Sequence, residues 1–548
     1  MTERQRIWLE SAAFGALAAV PLVPALVFLA RHPLGRFAVD GDYAGLELAT
    51  RYAFTGRTLL GPYSRFMFNH PGPLYFFCVA PIYVLFGRST TAFWAGAVTV
   101  NLIAAAITVV TVRVFAGRAQ AIAAALTVLA WLAAFGNAAA QPWNPLIVVL
   151  PLLAFLVCAA QLSRGKSSVL ATTVFLGAFV AETHLSTVPT VAFVLAAGLV
   201  GCLAAPVRRG GLTWPEGRAI AQACAVLALC LLPAVVEQVT SPVGNLTRIV
   251  HFFERAGRLK PFRLAFVQWM NATSWLPERL LHRALSHEDF FRVMSSDAVP
   301  QFASRFSIVV AAVWAIAVAG GAALAIRRRD DASIALLGAG VLASVVALFA
   351  LRAVVGDAMF YLVFWTTAGS TVAWMGIATA IAGALPTVGR RLWPLAPRAL
   401  VAVPVASVVL ASVLATSTNW AWISRQNLAS PHARVARGAY DALLARLRRT
   451  GETPVVHVEA AWYIALLLLN ELARDGIEAR VEPKDRWILG RQFPTPQDAP
   501  RPLHVYSRTN LERLDLAECL TLEAESGDVG ILVSKTNVTS CPNHSSEP

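Results

Sequence analysis

Residues 39–77 read VDGDYAGLELATRYAFTGRTLLGPYSRFMFNHPGPLYFF. An acidic pair, Asp40 and Asp42, opens the stretch soon after the first long apolar run. Leu46, Leu48, Tyr52 and Ala53 then fall at helical spacing, with Glu47 and Arg51 beside them. Gly56 is placed to stop that helix, and Gly61-Pro62 to turn the chain. Ser64, Arg65, Asn69 and His70 follow the turn. Pro71 and Pro73 lead into the next apolar helix, as proline can in a first turn. Two readings of the acidic pair are open. Asp is a favoured N-cap, so both can simply cap the helix that begins near Tyr43. Alternatively, a carboxylate near a membrane surface loses solvation, which suits a general base. Arg65 and His70 nearby suit a phosphate leaving group, because arginine can clamp phosphate with two parallel hydrogen bonds.

The surroundings of this stretch decide the solvent. Of 548 residues, 57% are hydrophobic and 14% charged, where a soluble domain carries about 25% charged residues. So few charges cannot cover a water-soluble surface of this size. Apolar runs near the spanning length of ~20 residues recur up to residue 416. We place spans at 8–30, 91–114, 119–136, 146–162, 168–184, 187–206, 218–236, 305–326, 332–351, 358–384 and 398–416. Residues 1–416 then form an eleven-span membrane domain, and 417–548 a separate one. The formal charge of +14 resides in 1–416, while 417–548 is close to neutral. That distribution suits loops at an anionic membrane surface and excludes nucleic acid as the natural partner.

Orientation follows from the short loops. One set carries Arg4, Arg6, Arg113, Arg118, Arg164, Lys166, Arg208, Arg209, Arg218, Arg327–Arg329, Arg390, Arg391 and Arg398. The opposite set carries Arg352 alone. The positive-inside rule puts the first set, and the N-terminus, in the cytoplasm. Eleven spans put the C-terminus outside a cell inner or plasma membrane, together with two long loops, 31–90 and 237–304. Residues 73–86 are apolar but short, and we read them as a helix lying in the outer interface. Arg248, His251, Arg255 and Arg258 recur at helical spacing opposite Ile249, Val250, Phe252 and Phe253. This is a second interfacial helix, whose basic face meets either anionic headgroups or a lipid phosphate.

Beyond 416 the pattern changes. Pro454–Val458, Glu478–Val481, Leu503–Tyr506 and Val529–Val533 read as strands, and Ala460–Ala473 as a helix ended at Gly476. A small extracytoplasmic α/β domain is expected. Cys519 and Cys541, alone among seven cysteines, lie in polar sequence and could pair on an oxidising face.

Further candidates sit at the outer span ends. Trp143 is either an interfacial belt residue or a platform for a sugar ring, with Gln141 and Asn144 beside it for hydroxyls. Glu182 and His184 are costly at the end of an apolar hairpin unless they are used, as site residues or as a satisfied pair. Arg352 either pairs with Asp357 or contacts a lipid phosphate. No nucleotide-cradling glycine loop, zinc-protease motif or nucleophile elbow occurs. One acidic pair is too little to define a metal site, so neither a cofactor nor a metal is assigned.

The order of first span, acidic pair, loop helix and His70-Pro71-Gly72-Pro73-Leu74-Tyr75-Phe76 resembles the GT-C superfamily of membrane glycosyltransferases. It is most similar to the bacterial relatives of protein O-mannosyltransferases and of the lipid A aminoarabinose transferase. The resemblance implies a polytopic fold with a first outer loop carrying interfacial helices. It implies a polyprenyl-phosphate sugar donor, inversion at the anomeric centre, and a loop acid that activates the acceptor hydroxyl. The acceptor is a glycolipid, a polysaccharide or a protein. Carried onto this chain, that acid is Asp42 first, because it leads into the loop helix, and Asp40 second. His70, Glu182 and His184 would orient substrates, and Arg65 and Arg352 would hold the phosphate. The chain has Asp40-Gly41-Asp42 where the family more often has Asp-Glu. The competing reading is a transporter or flippase of lipid-linked sugars, which would place polar residues at the bilayer midplane in two matched halves.

Overall fold

The computed structural model describes residues 2–208, 216–281, 298–392, 399–425, 428, 430, 433–458, 462–482, 494, 502–507, 520–526 and 529–534. It is a polytopic α-helical membrane protein with a small C-terminal sheet. Among the described residues nine helices are long and apolar enough to cross a bilayer. A 22-residue helix rises about 33 Å, enough for a hydrocarbon core of ~30 Å. Two expected spans differ from these. The one over 168–184 is the shorter apolar helix Ser167–Thr183. The one over 358–384 begins with a broken turn, Phe360–Val363 and Phe364–Thr366, before the continuous helix Thr367–Leu392. Cys519 and Cys541 lie outside the described residues.

Contacts divide the chain into two units. The first holds residues 1–31, 70–75 and 97–426. Its helices include α1 (Glu3–Ala19), α2 (Val23–Arg31), the larger part of α5 (Thr90–Phe115), α6 (Arg118–Ala139), α7 (Asn144–Ile147), α8 (Val149–Ser163), α9 (Leu170–Thr183) and α10 (Val188–Arg208). They continue with α11 (Gly217–Thr240), α12 (Asn245–Arg255), α13 (Phe262–Leu281), α14 (Arg305–Arg328), α15 (Asp331–Arg352), α16 (Phe360–Val363), α17 (Thr367–Leu392) and α18 (Ala399–Ile423).

Small residues let these helices approach closely, which is how apolar helices gain packing without a hydrophobic drive between them. A Cβ on Gly340 of α15 would meet the Ala373 nitrogen of α17 at 2.3 Å, and one on Gly376 would meet Leu337 at 2.7 Å. Hydroxyls inside the unit bond back along their own helices, as Thr127 does to the Ala123 carbonyl (2.9 Å) and Thr371 to that of Thr367 (2.7 Å). Helix α6 kinks at Phe135. There Gly136 leaves room for Asn419, which donates to the Pro21 carbonyl at 2.9 Å.

The second unit holds residues 32–69, 76–96 and 427–548. It contains α3 (Gly41–Arg51), the larger part of α4 (Leu74–Leu85), α19 (Ala433–Thr450) and α20 (Trp462–Arg474). At 12 residues, α4 is too short to cross a bilayer. The sheet runs β2 (Arg480–Val481), β1 (Thr453–Val456), β3 (Pro502–Ser507), β5 (Val529–Ser534), β4 (Leu520–Ser526). β1 pairs in parallel with β2 and β3, and β5 antiparallel with β3 and β4. Helix α20 supplies the crossover that a parallel β1–β2 pair requires. It ends where Gly476 takes a left-handed φ of 72° and Ile477 returns its N–H to Leu472.

One core joins the first loop to the C-terminal residues. Phe37, Val39, Ala44 and Leu48 pack with Tyr440, Leu443, Val456, Leu466 and Leu469. Helix α19 and strand β4 were not foreseen from the sequence.

Candidate functional site

The acidic pair lies at the start of α3. Asp40 occupies the N-cap position, yet its side chain makes no cap hydrogen bond. It instead accepts from the Ser430 hydroxyl, while Ser430 N–H donates to the Ala38 carbonyl at 2.8 Å. Asp42 accepts from the Tyr63 hydroxyl. Both aspartates are half-buried. The simple capping reading therefore fails for Asp40, and both carboxylates are held by hydroxyls from other segments.

Gly41 between them has φ +46°, a region that side-chain-bearing residues rarely adopt. A Cβ there would also come within 3.2–3.3 Å of the Trp462 ring. Aromatic rings surround the pair: Tyr43 stacks on Trp94 at 5.6 Å, and Tyr63 meets Trp462 edge-on at 5.7 Å. Burial, then the charges of Asp42 and Asp40, push the Tyr43 phenol up from its ordinary value. Arg65 is exposed, with its guanidinium 4.9 Å from the Phe66 ring centre.

The first unit carries a second group. Helix α9 ends at Thr183, and His184 leaves it in an extended conformation. The following turn aims the Leu185 N–H at His70 Nδ1, 3.0 Å away. With Nδ1 accepting, the neutral His70 ring carries its proton on Nε2. The His70 and His184 rings stack at 5.0 Å. Burial, and then the neighbouring His184, hold His70 well below the usual histidine value.

Proline removes the N–H groups of residues 71 and 73, which leaves those of Gly72 and Leu74 in this turn. Both face Glu182: Leu74 donates to Glu182 Oε2 at 3.1 Å, and Gly72 to its backbone carbonyl at 3.4 Å. The Glu182 carboxylate thus serves the free N-terminus of α4. A Cβ on Gly72 would fall 2.3 Å from Glu182 Oε2. Glu182 and His184 are 2% and 1% exposed, yet Glu182 Oε1 and His184 Nδ1 find no hydrogen-bond partner among the described residues. Asn144 donates to the Thr183 carbonyl at 3.4 Å, and Asn245 to that of His70 at 3.3 Å.

The structure thus gathers His70, Asn144, Glu182 and His184 in one unit, and Asp40 and Asp42 in the other. Trp143 packs on Tyr361, with centroids 4.9 Å apart. Arg352 does not pair with Asp357 among the described ion pairs; its Nε donates to the Lys260 carbonyl at 3.1 Å. Among the described residues, no three His, Cys, Asp or Glu side chains group as metal ligands.

Three residues of this surrounding were not singled out as functional: Tyr63, Glu47 and Arg474. Glu47 is wholly buried in the second unit. An acid set between Leu46 and Leu48 on a helix is the signal the sequence carries. Arg279 is a further such residue. It is half-buried, donates toward the Ala134 carbonyl at 3.4 Å, and burial lowers its pKa.

The chain is similar in structure to ArnT. The ArnT crystal structure from Cupriavidus metallidurans bound to undecaprenyl phosphate matches at 16% identity, over 95% of this chain and 98% of that one, with a TM-score of 0.48. The apo ArnT structure matches at 14% identity, over 94% and 97%, with a TM-score of 0.46. No protein-family model matches, and no curated protein does.

Proposed function

We propose that the chain is an inverting glycosyltransferase of the GT-C kind. It moves a sugar from a polyprenyl-phosphate carrier to a cell-envelope acceptor on the outer face of the membrane. The observation that carries this reading is the state of the acidic pair. Two half-buried carboxylates flank Gly41 at the head of a loop helix, and each is oriented by a hydroxyl from another segment.

In the reaction, Asp42 takes the proton of the acceptor hydroxyl as that oxygen bonds the anomeric carbon. The bond from that carbon to the phosphate oxygen breaks, and polyprenyl phosphate leaves as the anion. Attack from the face opposite the phosphate inverts the centre. Asp40 is the second choice for the base. Glu182 Oε1 and the His70 Nε2–H offer an acceptor and a donor for sugar hydroxyls, with His184 stacked on His70, and Trp143 and Asn144 belong to the same unit. Arg65 and Arg352 are the cations for the phosphate.

The test is a proteoliposome assay with a labelled polyprenyl-phosphate sugar. An enzyme moves label to an added envelope glycolipid, polysaccharide or protein, and leaves the donor in its leaflet when no acceptor is present. Movement of label across the bilayer without acceptor, and no transfer with it, would instead establish the flippase.

A further inference from the structure

Helix α20 of the C-terminal region grips the loop that carries the acidic pair, at three places. Before the pair, the Phe37 N–H donates to Glu471 Oε1 at 2.9 Å, and Arg36 Nε to Glu471 Oε2 at 2.8 Å. At the pair, the Trp462 ring lies on Gly41, and Leu466 Cδ1 would stand 3.2 Å from a Cβ on Gly45. Two glycines one helical turn apart thus let α20 lie close along the α3 backbone. After the pair, Arg474 Nη2 meets Glu47 Oε1 at 2.5 Å.

Glu47 is fully buried, and its other contacts converge on the same point. The Tyr83 hydroxyl donates to Oε1 at 3.1 Å, the Thr90 hydroxyl to Oε2 at 2.9 Å, and Arg51 stands 3.7 Å away. Arg474 also reaches Glu471 at 3.5 Å and donates to Thr90. A buried carboxylate is stable only while its charge is paired and its lone pairs are filled. The Glu47–Arg474 contact therefore fixes the rotation and axial position of α3, and with them the direction of Asp42.

We propose that α20 is the positioning element for the acidic pair, and that Arg474, acting through Glu47, is its principal positioning residue. The C-terminal region then serves the transfer step itself. This rests on the reading of Asp42 as the base.

The test combines two readouts on the full-length protein in proteoliposomes. The first is amide hydrogen exchange in residues 41–51, which does not depend on what Asp42 does. The second is the kcat and KM for a polyprenyl-phosphate sugar. In Arg474→Met, exchange in α3 is expected to quicken at least tenfold and kcat to fall at least tenfold, with KM unchanged. Arg474→Lys is expected to recover part of both. Should Arg474→Met fail to accumulate, the double variant Glu47→Gln with Arg474→Gln, which removes both charges of the pair together, carries the same comparison. Unchanged exchange overturns the proposal, as does quickened exchange with unchanged kcat, or a change in KM alone. If Asp42→Asn retains full kcat, the base assignment fails while the exchange result still decides whether Arg474 holds α3.

Discussion

Replacing Gly72 by alanine should destabilise the protein through one identifiable clash. The added methyl would stand 2.3 Å from Glu182 Oε2 and 2.5 Å from its Cδ, closer than real contacts permit. No left-handed φ is involved at this glycine, so the effect is steric. Glu182 must swing away, and the Leu74 N–H loses its acceptor at 3.1 Å. Overpacking costs roughly 1–3 kcal/mol, and a buried N–H left unsatisfied about 1–3 kcal/mol more. We expect Gly72→Ala to lose about 2–6 kcal/mol on those two grounds. Glu182→Ala loses the second of these by itself. In the Glu182→Ala background the methyl has room, so Gly72→Ala should then cost little. The coupling between the two sites should then equal nearly the whole cost of Gly72→Ala in the parent, about 2–6 kcal/mol, at or above the upper end usual for contacting residues. The assay is thermal unfolding in detergent, followed by labelling of Cys158, a thiol with no exposed surface in the native protein. Gly217→Ala is the control, because a Cβ there meets nothing within 4 Å. Equal costs of Gly72→Ala in the two backgrounds, or no cost in the parent, would refute the packing of this turn around Glu182.

Two further outcomes concern pH. His70 is held neutral by burial, so its native pKa lies below that of the unfolded chain. Its contribution to stability is complete above about pH 6.5 and is lost as pH falls from there toward the native value. His70→Asn should lower the slope of stability against pH between 6.5 and 5 by up to one proton, about 1.4 kcal/mol per pH unit; an unchanged slope would show that His70 already titrates normally. Asp475 behaves as a depressed carboxylate. Burial pushes it up, but hydrogen bonds from Arg36 and Tyr440 outweigh that and hold it below its ordinary value. The stability it lends is complete above the usual carboxylate range and is lost as pH falls through the lowered native value. Arg36→Met should therefore weaken residues 462–474 at neutral pH and flatten their acid response, read by hydrogen exchange. An acid response equal to the parent's would contradict the role of Arg36.

The membrane spans were legible because a bilayer demands long apolar runs, and the runs stand out against 14% charge. Strands β1, β3 and β5 and helix α20 were legible from alternation and from Gly476. Helix α19 has a weaker signature. Ala436, Ala439, Tyr440, Leu443 and Leu447 recur at helical spacing, hidden among five arginines between residues 434 and 449. Helix α13 was obscured by Pro277 and by polar residues such as Gln268 and Asn271, which are buried in the fold.

The acidic pair, His70 and Glu182 were singled out because charge and imidazole are expensive beside apolar segments. Their partners were not legible. Arg474 meets Glu47 from 427 residues away, and Ser430 meets Asp40 from 390. Such pairings are tertiary, and local spacing does not encode them. The same distance explains why the first loop and the C-terminal region read as parts of separate domains, although Phe37 and Val39 share a core with Leu466 and Tyr440.

The central claim is that a carboxylate in the first loop removes the acceptor proton. The most direct measurement is the single-turnover rate of sugar transfer from a polyprenyl-phosphate donor by Asp42→Asn, with Asp40→Asn alongside, at matched membrane levels. The account expects one of them, Asp42→Asn first, to fall by about 100- to 10,000-fold, the usual worth of a general base. Parent rates in both variants would contradict it.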